Sequence, residues 1–110
     1  MEKLRVWWIP QVPMKPFYIP VQSPVEGKKV LDILAAYDCF QYNNNIKPDY
    51  ANTGGLQMYN EDEGEWEDWY IDDGKDYYDS DTLFEYCKNS EQAEEIDALQ
   101  MALFEQVEFD

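Results

Sequence analysis

The sequence contains no histidine and only two cysteines, and these absences exclude several kinds of site. Histidine is the commonest general base and the commonest metal ligand, so neither role is filled in the usual way. Cys39 and Cys87 do not have the spacing of zinc ligands. They are compatible with one disulfide, although two buried free thiols in a reducing cytoplasm are favoured.

Motifs of catalysis and of membrane insertion are absent as well. The chain has no glycine-rich nucleotide loop, no nucleophile elbow and no apolar run long enough to span a bilayer. Carboxylate pairs are so abundant that no single pair marks a catalytic site. We therefore predict a cytoplasmic, non-enzymatic protein with no catalytic residues, no cofactor and no metal site.

Negative charge is abundant and is concentrated in one half of the chain. Residues 1–60 carry five acidic and six basic side chains, a net charge of +1, whereas residues 61–110 carry nineteen acidic and two basic ones, a net charge of −17. The whole chain therefore has a formal net charge of −16. Such a charge is expected to repel nucleic acid and anionic membranes, so we predict that the protein binds neither directly.

The acidic half is also rich in aromatic residues. Carboxylates alternate with tryptophan and tyrosine from Glu61 to Asp81, and the chain is 45% hydrophobic and 16% aromatic. This composition favours a folded chain over a disordered acidic tail. We predict one domain, residues 1–110, in which the nearly neutral half provides much of the core and residues 61–110 provide an acidic surface.

Local patterns in the first half predict two strands and a helix. Leu4–Ile9 and Phe17–Val21 are rich in β-branched and aromatic residues, and Pro20 marks an edge strand or a strand end. The segment 23–26, Ser-Pro-Val-Glu, is a helix start, since serine can cap and proline suits the first helical position. The apolar spacing after it predicts a helix through about Cys39.

The acidic half predicts a hairpin and two more helices. Leu56–Tyr59 and Glu65–Ile71 predict two strands, followed by irregular chain over residues 76–80. A short helix ending near Lys88 and a final helix capped by Ser90 complete the pattern. The predicted fold is α+β, in the order β-β-α-β-β-α-α: a small antiparallel sheet of two hairpin-like strand pairs, covered by about three helices.

The acidic run does not match a calcium loop. With Asp72 at the first ligand position, no glycine stands at the sixth, where an EF-hand needs its sharp turn. Only weak, nonspecific binding of divalent cations is expected from such a surface.

Carboxylates held on strands and helices instead form a fixed pattern of negative charge. Alternate residues of a strand lie about 6.7 Å apart on one side, a spacing similar in scale to that of nucleic-acid phosphates. Repulsion between such charges opposes folding, and docking on a basic groove would offset it. A merely solvated acidic surface is the other interpretation. The predicted partner-binding residues, with Trp66 as a central anchor, are Glu61, Asp62, Glu63, Glu65, Trp66, Glu67, Asp68, Asp72, Asp73, Asp76 and Asp79.

Much of the chain resembles a known group of proteins. The segments LRVWWIPQVPMKPFYIPV, VLDILAAYDCFQYNNNIKPDYANTGGLQMY and EWEDWY, within residues 3–70, are similar to small acidic accessory proteins of tailed bacteriophages. The resemblance implies a phage accessory protein of the host bacterial cytoplasm and assigns no catalytic residue. By analogy of class alone, small acidic phage proteins include DNA mimics that act against CRISPR, restriction or glycosylase enzymes.

We therefore predict a phage-type inhibitor whose acidic surface imitates nucleic acid. Its partner would be a host protein with a basic nucleic-acid-binding groove, such as a CRISPR or restriction component. The alternative is a binding module, or a homo-oligomeric regulatory protein, that docks through its aromatic and proline-rich surface while the acid serves solubility. A homodimer is compatible with the sequence. A salt titration of partner affinity distinguishes the mimic from the alternative binding module, since electrostatic docking weakens as the salt concentration rises.

Overall fold

The computed structural model describes residues 3–10, 14–44 and 52–107 of the chain. These residues form an α+β fold, which confirms the predicted class. The elements are β1 Leu4–Ile9, β2 Phe17–Val21, α1 Pro24–Asn43, β3 Thr53–Asn60, β4 Glu65–Asp68, β5 Tyr70–Asp72, β6 Tyr77–Asp79, α2 Leu83–Lys88 and α3 Ala93–Val107. A single 3-10 turn, Ser80–Thr82, joins β6 to α2.

Four strands form one antiparallel sheet in the order β2-β1-β3-β4, and β5 and β6 form a separate two-stranded hairpin. In the main sheet, Arg5 lies between Pro20 on β2 and Gln57 on β3, and Gln57 in turn lies beside Asp68 on β4. β2 is an edge strand, as Pro20 predicts, because proline has no N–H to donate to a further strand.

The core lies on one face of the main sheet. Buried and half-buried residues alternate along β1, as expected for a strand with one covered face. Leu4, Val6 and Leu56 are buried on the covered face, where α1 packs against the sheet. Gly27 allows the helix to approach closely, since a Cβ atom there would lie 2.9 Å from Leu56 Cδ1.

α1 begins where the sequence predicts and ends later. The Ser23 hydroxyl accepts a hydrogen bond from the Glu26 N–H at 3.1 Å, and proline occupies the first turn. The helix continues to Asn43 instead of about Cys39, because no residue before Asn44 closes it. There the backbone N–H and the side-chain amide of Asn44 both donate to the Phe40 carbonyl.

The predicted strand Glu65–Ile71 is wrong, because the chain leaves the main sheet at Trp69. The Trp69 N–H still donates to the Leu56 carbonyl at 3.0 Å, but its indole is buried, 1% exposed, and packs edge-to-face on Tyr86. In a single strand, Trp69 and Ile71 would share one face; Ile71 instead is 40% exposed on β5. Part of the segment predicted to be irregular, residues 76–80, forms β6.

The remaining elements complete the core with α2 and α3. Leu83, Cys87 and Ile96 are buried there. α3 begins at Ala93, not directly after Ser90, whose hydroxyl donates to the Cys87 carbonyl. Both cysteines carry free thiols, and burial raises the pKa of the Cys87 thiol. Among the described helices, none combines the length and apolarity that a membrane span requires.

Candidate functional site

The face of the main sheet opposite α1, here called the outer face, carries polar and aromatic side chains. Strand alternation places Arg5 and Trp7 of β1 on this face, and the register adds residues of the three neighbouring strands. No α-helix within the described ranges packs on it, although the 3-10 turn meets one end of it. The side chains that the register assigns to the outer face include Arg5, Trp7, Tyr18, Gln57, Tyr59, Trp66 and Asp68.

One part of this face borders the β5–β6 hairpin and forms an open groove of about 510 Å³, here called the acidic groove. Its lining combines four acidic residues with aromatic side chains. The lining residues are Trp7, Thr53, Gly54, Glu67, Asp68, Trp69, Tyr70, Tyr77, Asp79, Ser80 and Asp81.

Gly55 explains why the groove forms where it does. A Cβ atom at this position would lie 2.8 Å from both Trp7 Nε1 and Ser80 Oγ, so the missing side chain lets the two residues meet over β3. The Ser80 hydroxyl also accepts a hydrogen bond from the Leu56 N–H at 2.9 Å. Ser80 thereby continues the hydrogen bonding of β3 beyond the end of β4 and holds the β6 end against the sheet.

The hairpin contributes aromatic surface to the groove. Tyr70 and Tyr77 stack with ring centroids 6.2 Å apart and ring planes 20° apart, and both remain about half exposed. Asp79 and Asp81 follow at the start of the 3-10 turn, where the Asp79 carboxylate accepts from the N–H groups of Asp81 and Thr82. Carboxylates beside aromatic rings are suited to the ammonium or guanidinium group of a partner protein.

Three of the predicted partner-binding residues line the acidic groove: Glu67, Asp68 and Asp79. The others lie elsewhere on the acidic half. Glu61, Asp62 and Glu63 form the exposed turn between β3 and β4, and Glu65 is the exposed first residue of β4. The Asn60 side chain holds this turn by accepting from the N–H groups at positions 62 and 63.

Asp72, Asp73 and Asp76 lie at the turn of the β5–β6 hairpin. The Asp73 carboxylate accepts hydrogen bonds from the N–H groups of Asp76, at 2.7 Å, and of Lys75, at 2.9 Å. These hydrogen bonds, the Asp76 one first, lower the pKa of Asp73 below its ordinary value of 3.8. Two of these carboxylates, Asp72 and Asp73, therefore shape the turn as well as charging it.

Trp66, the predicted central anchor, does not line the acidic groove. Its ring lies 4.1 Å from the Arg5 guanidinium carbon and packs edge-to-face on Tyr59 at 5.3 Å between ring centroids. Trp66 lines a second recess on the outer face, around Arg5. The acidic and tryptophan parts of the predicted site are thus in two different recesses.

Several groove residues were missed by the sequence prediction. Trp7 was assigned only to a strand, although the alternation of LRVWWI already placed it opposite the buried residues of β1. Asp81 continues the acidic run and has the same signal as the chosen carboxylates. Tyr70 and Tyr77 belong to the aromatic residues of the acidic run, but their stacking on each other depends on a hairpin that the sequence pattern did not reveal.

Within the part of the chain that the structure describes, no group of three or more acidic or cysteine side chains is placed to hold a metal ion. Of the predicted acidic residues, the acidic groove brings Glu67, Asp68 and Asp79 together.

Comparison with known proteins identifies the family. The family described as superinfection exclusion gene product 17 matches residues 3–92. The chain belongs to this family. The superinfection exclusion protein of Salmonella phage P22 is 50% identical to it over an alignment of 94 residues, and the coverage is 71% of this chain and 91% of that relative. No solved structure is detectably similar.

Membership of the superinfection exclusion gene product 17 family confirms the expectation of a phage accessory protein. It also shows that the predicted function is wrong. The family and the P22 relative are described by the exclusion of superinfection, not by imitation of nucleic acid or by inhibition of CRISPR or restriction enzymes. The physical reason for the error is that charge and aromatic content constrain a surface but do not specify what meets it.

Proposed function

We propose that this chain excludes superinfecting phage, the role for which its P22 relative is named. The observation that carries the proposal is 50% identity over 94 residues, covering nearly the whole of that relative. The family match over residues 3–92 includes every strand that the structure describes and the whole acidic groove. Exclusion then takes place in the host bacterial cytoplasm.

The protein acts by binding and not by catalysis. The chain has no histidine, and Asp68 and Asp81 of the acidic groove are exposed to water. Exposed carboxylates of this kind can pair with a cation from a partner protein, whereas a catalytic acid is normally held in a drier environment. The partner is a protein that presents a lysine or arginine to the acidic groove, between the stacked tyrosines and the carboxylates.

The test is phage plating on cells that express the chain. The groove variant Asp68→Asn/Asp81→Asn removes two charges while it keeps the shape of both side chains. If each carboxylate makes one charge-assisted hydrogen bond to the partner, exclusion should fall by about tenfold to a hundredfold. The readout is the efficiency of plating of related phages relative to cells with an empty vector.

The matched control is Glu61→Gln/Glu63→Gln, which removes the same charge from the exposed β3–β4 turn. This variant should exclude phage as well as the unaltered chain. Equal loss in both variants would show that only total charge matters and would reject the groove. A chain that excludes no phage at normal expression would reject the proposed function itself.

A further inference from the structure

A second recess lies on the outer face, around Arg5. The Arg5 guanidinium carbon is 3.7 Å from the Tyr18 ring centroid and 4.1 Å from the Trp66 ring centroid, so the group is held between two aromatic rings. Its Nε donates to Gln57 Oε1 at 2.8 Å. The two rings and the hydrogen bond from Nε together fix the orientation of the planar Arg5 guanidinium group.

Arg5 has no carboxylate partner in the described parts of the chain. Within these parts, the bond to Gln57 is the one hydrogen bond that the Arg5 side chain makes, and the two ion pairs, Lys28–Asp32 and Lys29–Glu95, involve other cations. This is unusual, since the chain has 24 acidic and only 8 basic residues. The remaining N–H groups of the guanidinium are therefore available to an acceptor from outside.

The recess itself is cationic. It has a volume of about 430 Å³, and no acidic residue lines it. Lys3 adds a second positive charge, with its Nζ 5.2 Å from the ring centroid of Tyr59. The lining residues are Lys3, Leu4, Arg5, Tyr18, Pro20, Val21 and Trp66.

We propose that this cationic recess binds an aspartate or glutamate side chain of a protein partner. A guanidinium held in one orientation offers parallel N–H donors that match the two oxygens of a carboxylate, and Lys3 adds charge attraction. Tyr18 and Trp66 already stack on Arg5, so binding requires little further ordering of these side chains.

The surroundings favour one carboxylate over a polyanion. The net charge of −16 repels nucleic acid at long range, whereas at physiological salt a single carboxylate in the recess interacts mainly with charges within about 8 Å. The recess also borders the edge strand β2, along which a partner segment can continue in both directions. This position suits a side chain within a segment better than a chain terminus.

The inference deepens the proposed function and rests on it where it concerns exclusion. The acidic groove and the cationic recess lie on the same outer face, and Asp68 and Arg5 stand in one row of the sheet, on either side of Gln57. A partner that fills both recesses must present a cation and a carboxylate side by side. Because the acidic groove and the cationic recess carry opposite charges, they fix the direction in which the partner docks across the outer face.

The experiment is an NMR titration of the full ¹⁵N-labelled chain, observing the Arg5 Nε–H and Trp66 Nε1–H signals. The probes are the blocked peptide acetyl-Gly-Ser-Glu-Ser-Gly-amide, its glutamine counterpart and inorganic phosphate. The glutamate peptide should bind saturably with a Kd of the order of 1 mM. The glutamine peptide should bind at least about fivefold more weakly, because it lacks the charge.

Variants separate recognition from general charge. Arg5→Lys should weaken binding of the glutamate peptide by about threefold or more, since a lysine cannot offer the paired donors. Lys75→Gln removes the same amount of charge as Arg5→Gln from the β5–β6 turn and should leave the titration unchanged. If Arg5→Gln does not fold, Lys3→Gln provides the charge-loss variant for the recess.

Four outcomes overturn the inference. In the first, the glutamine peptide binds as tightly as the glutamate peptide, and in the second, phosphate binds more tightly than the glutamate peptide. In the third, substitution of Arg5 or Lys3 leaves the titration unchanged. In the fourth, the signals change with protein concentration alone. The last would indicate a second copy of the chain on this face. None of them depends on plating, so a failed titration and a failed exclusion assay remain distinguishable.

Discussion

Asp73 shows how a single side chain both shapes the acidic surface and carries its charge. Its carboxylate accepts two backbone hydrogen bonds across the β5–β6 turn, and Gly74 follows with a φ of 85°. That conformation is easily adopted only by glycine. The hydrogen bonds of the neighbouring Asp73 carboxylate stabilise the turn around it. Acidic residues in this turn are thus chosen partly for local structure, independently of any partner.

The lowered pKa of Asp73 leads to a prediction about acid. Since its pKa is lower in the folded chain than in the unfolded one, Asp73 stabilises the turn above the unfolded pKa. This contribution is lost as the pH falls through the folded pKa. NMR titration of the Asp73 carboxyl carbon should give a midpoint below 3.8, and the Lys75 and Asp76 amide signals should move together with it. A midpoint at or above that value, or amides that do not follow the carboxyl, would contradict this account.

At the scale of elements, the junction of β3 with the 3-10 turn determines the shape of the acidic groove. Trp7 and Ser80 meet over Gly55, and the Ser80 hydroxyl occupies the Leu56 N–H at 2.9 Å. The junction therefore connects β1, β3 and the hairpin in one place. Any side chain at position 55 must displace Trp7, Ser80 or both.

Gly55→Ala should therefore destabilise the protein and open the groove. Overpacking of this kind costs about 1–3 kcal/mol, measurable as a lower urea midpoint with an unchanged slope. Exclusion should weaken as well, because Trp7 is displaced.

The control for this substitution is Gly64→Ala in the β3–β4 turn. Gly64 has a φ of 69°, and a Cβ atom added there would meet only the Tyr59 hydroxyl oxygen, at 3.9 Å. Alanine at this position should therefore cost about 1 kcal/mol through backbone strain and leave exclusion intact. If the free energy of unfolding of Gly55→Ala lies within about 0.5 kcal/mol of that of the unaltered chain, Trp7 and Ser80 move aside at little cost, and this account is contradicted.

The sequence predicted those elements whose signals are local. The β1 and β2 strands and the three helices follow from local periodicity, and the start of α1 follows from its Ser23 cap. The break at Trp69 does not, because it depends on tertiary contact with Tyr86. A tryptophan within an alternating acidic run looks the same whether it stays in a strand or turns into the core.

The same limit applies to the site. Sequence identified Glu67, Asp68 and Asp79, because each belongs to the acidic run. It did not identify Trp7, since what brings that residue into the groove is the absence of a side chain at Gly55. The sequence pattern did not identify Arg5 either, because the two rings that hold its guanidinium, Tyr18 and Trp66, come from different strands, β2 and β4.

For the whole molecule, the excess of charge is the dominant physical feature. Nineteen of the 24 acidic residues belong to the last fifty positions, and two like charges about 7 Å apart repel by roughly 0.6 kcal/mol in water. Part of the free energy of unfolding is therefore lost to repulsion. The organisation of residues 1–110 as one domain stays a prediction.

Stability should consequently rise with salt. Between 0.01 M and 1 M KCl the screening length falls from about 30 Å to about 3 Å. Relief of only two neighbouring repulsions, about 1 kcal/mol in total, raises the Tm by roughly 4–8 °C for a domain of this size. Thermal unfolding followed by circular dichroism measures the change.

The variant Glu61→Gln/Glu63→Gln/Glu65→Gln provides the comparison, since it removes three charges from the β3–β4 turn and the start of β4. Its Tm should be higher at low salt and should rise less as salt is added. A Tm of the unaltered chain that stays constant or falls with KCl would mean that the acidic residues do not repel one another appreciably in the folded state.

The position of β1 also has a consequence for how the protein is made. β1 pairs with β2 on one side and with β3, which begins at Thr53, on the other. At bacterial rates of synthesis, several seconds separate the translation of β1 from that of β3. During this interval the apolar, aromatic edge of Leu4–Ile9 has no partner and is open to pairing with other nascent chains. β1 ends in the interior of the sheet, yet its β3-facing edge is open to other chains while the ribosome is still at work.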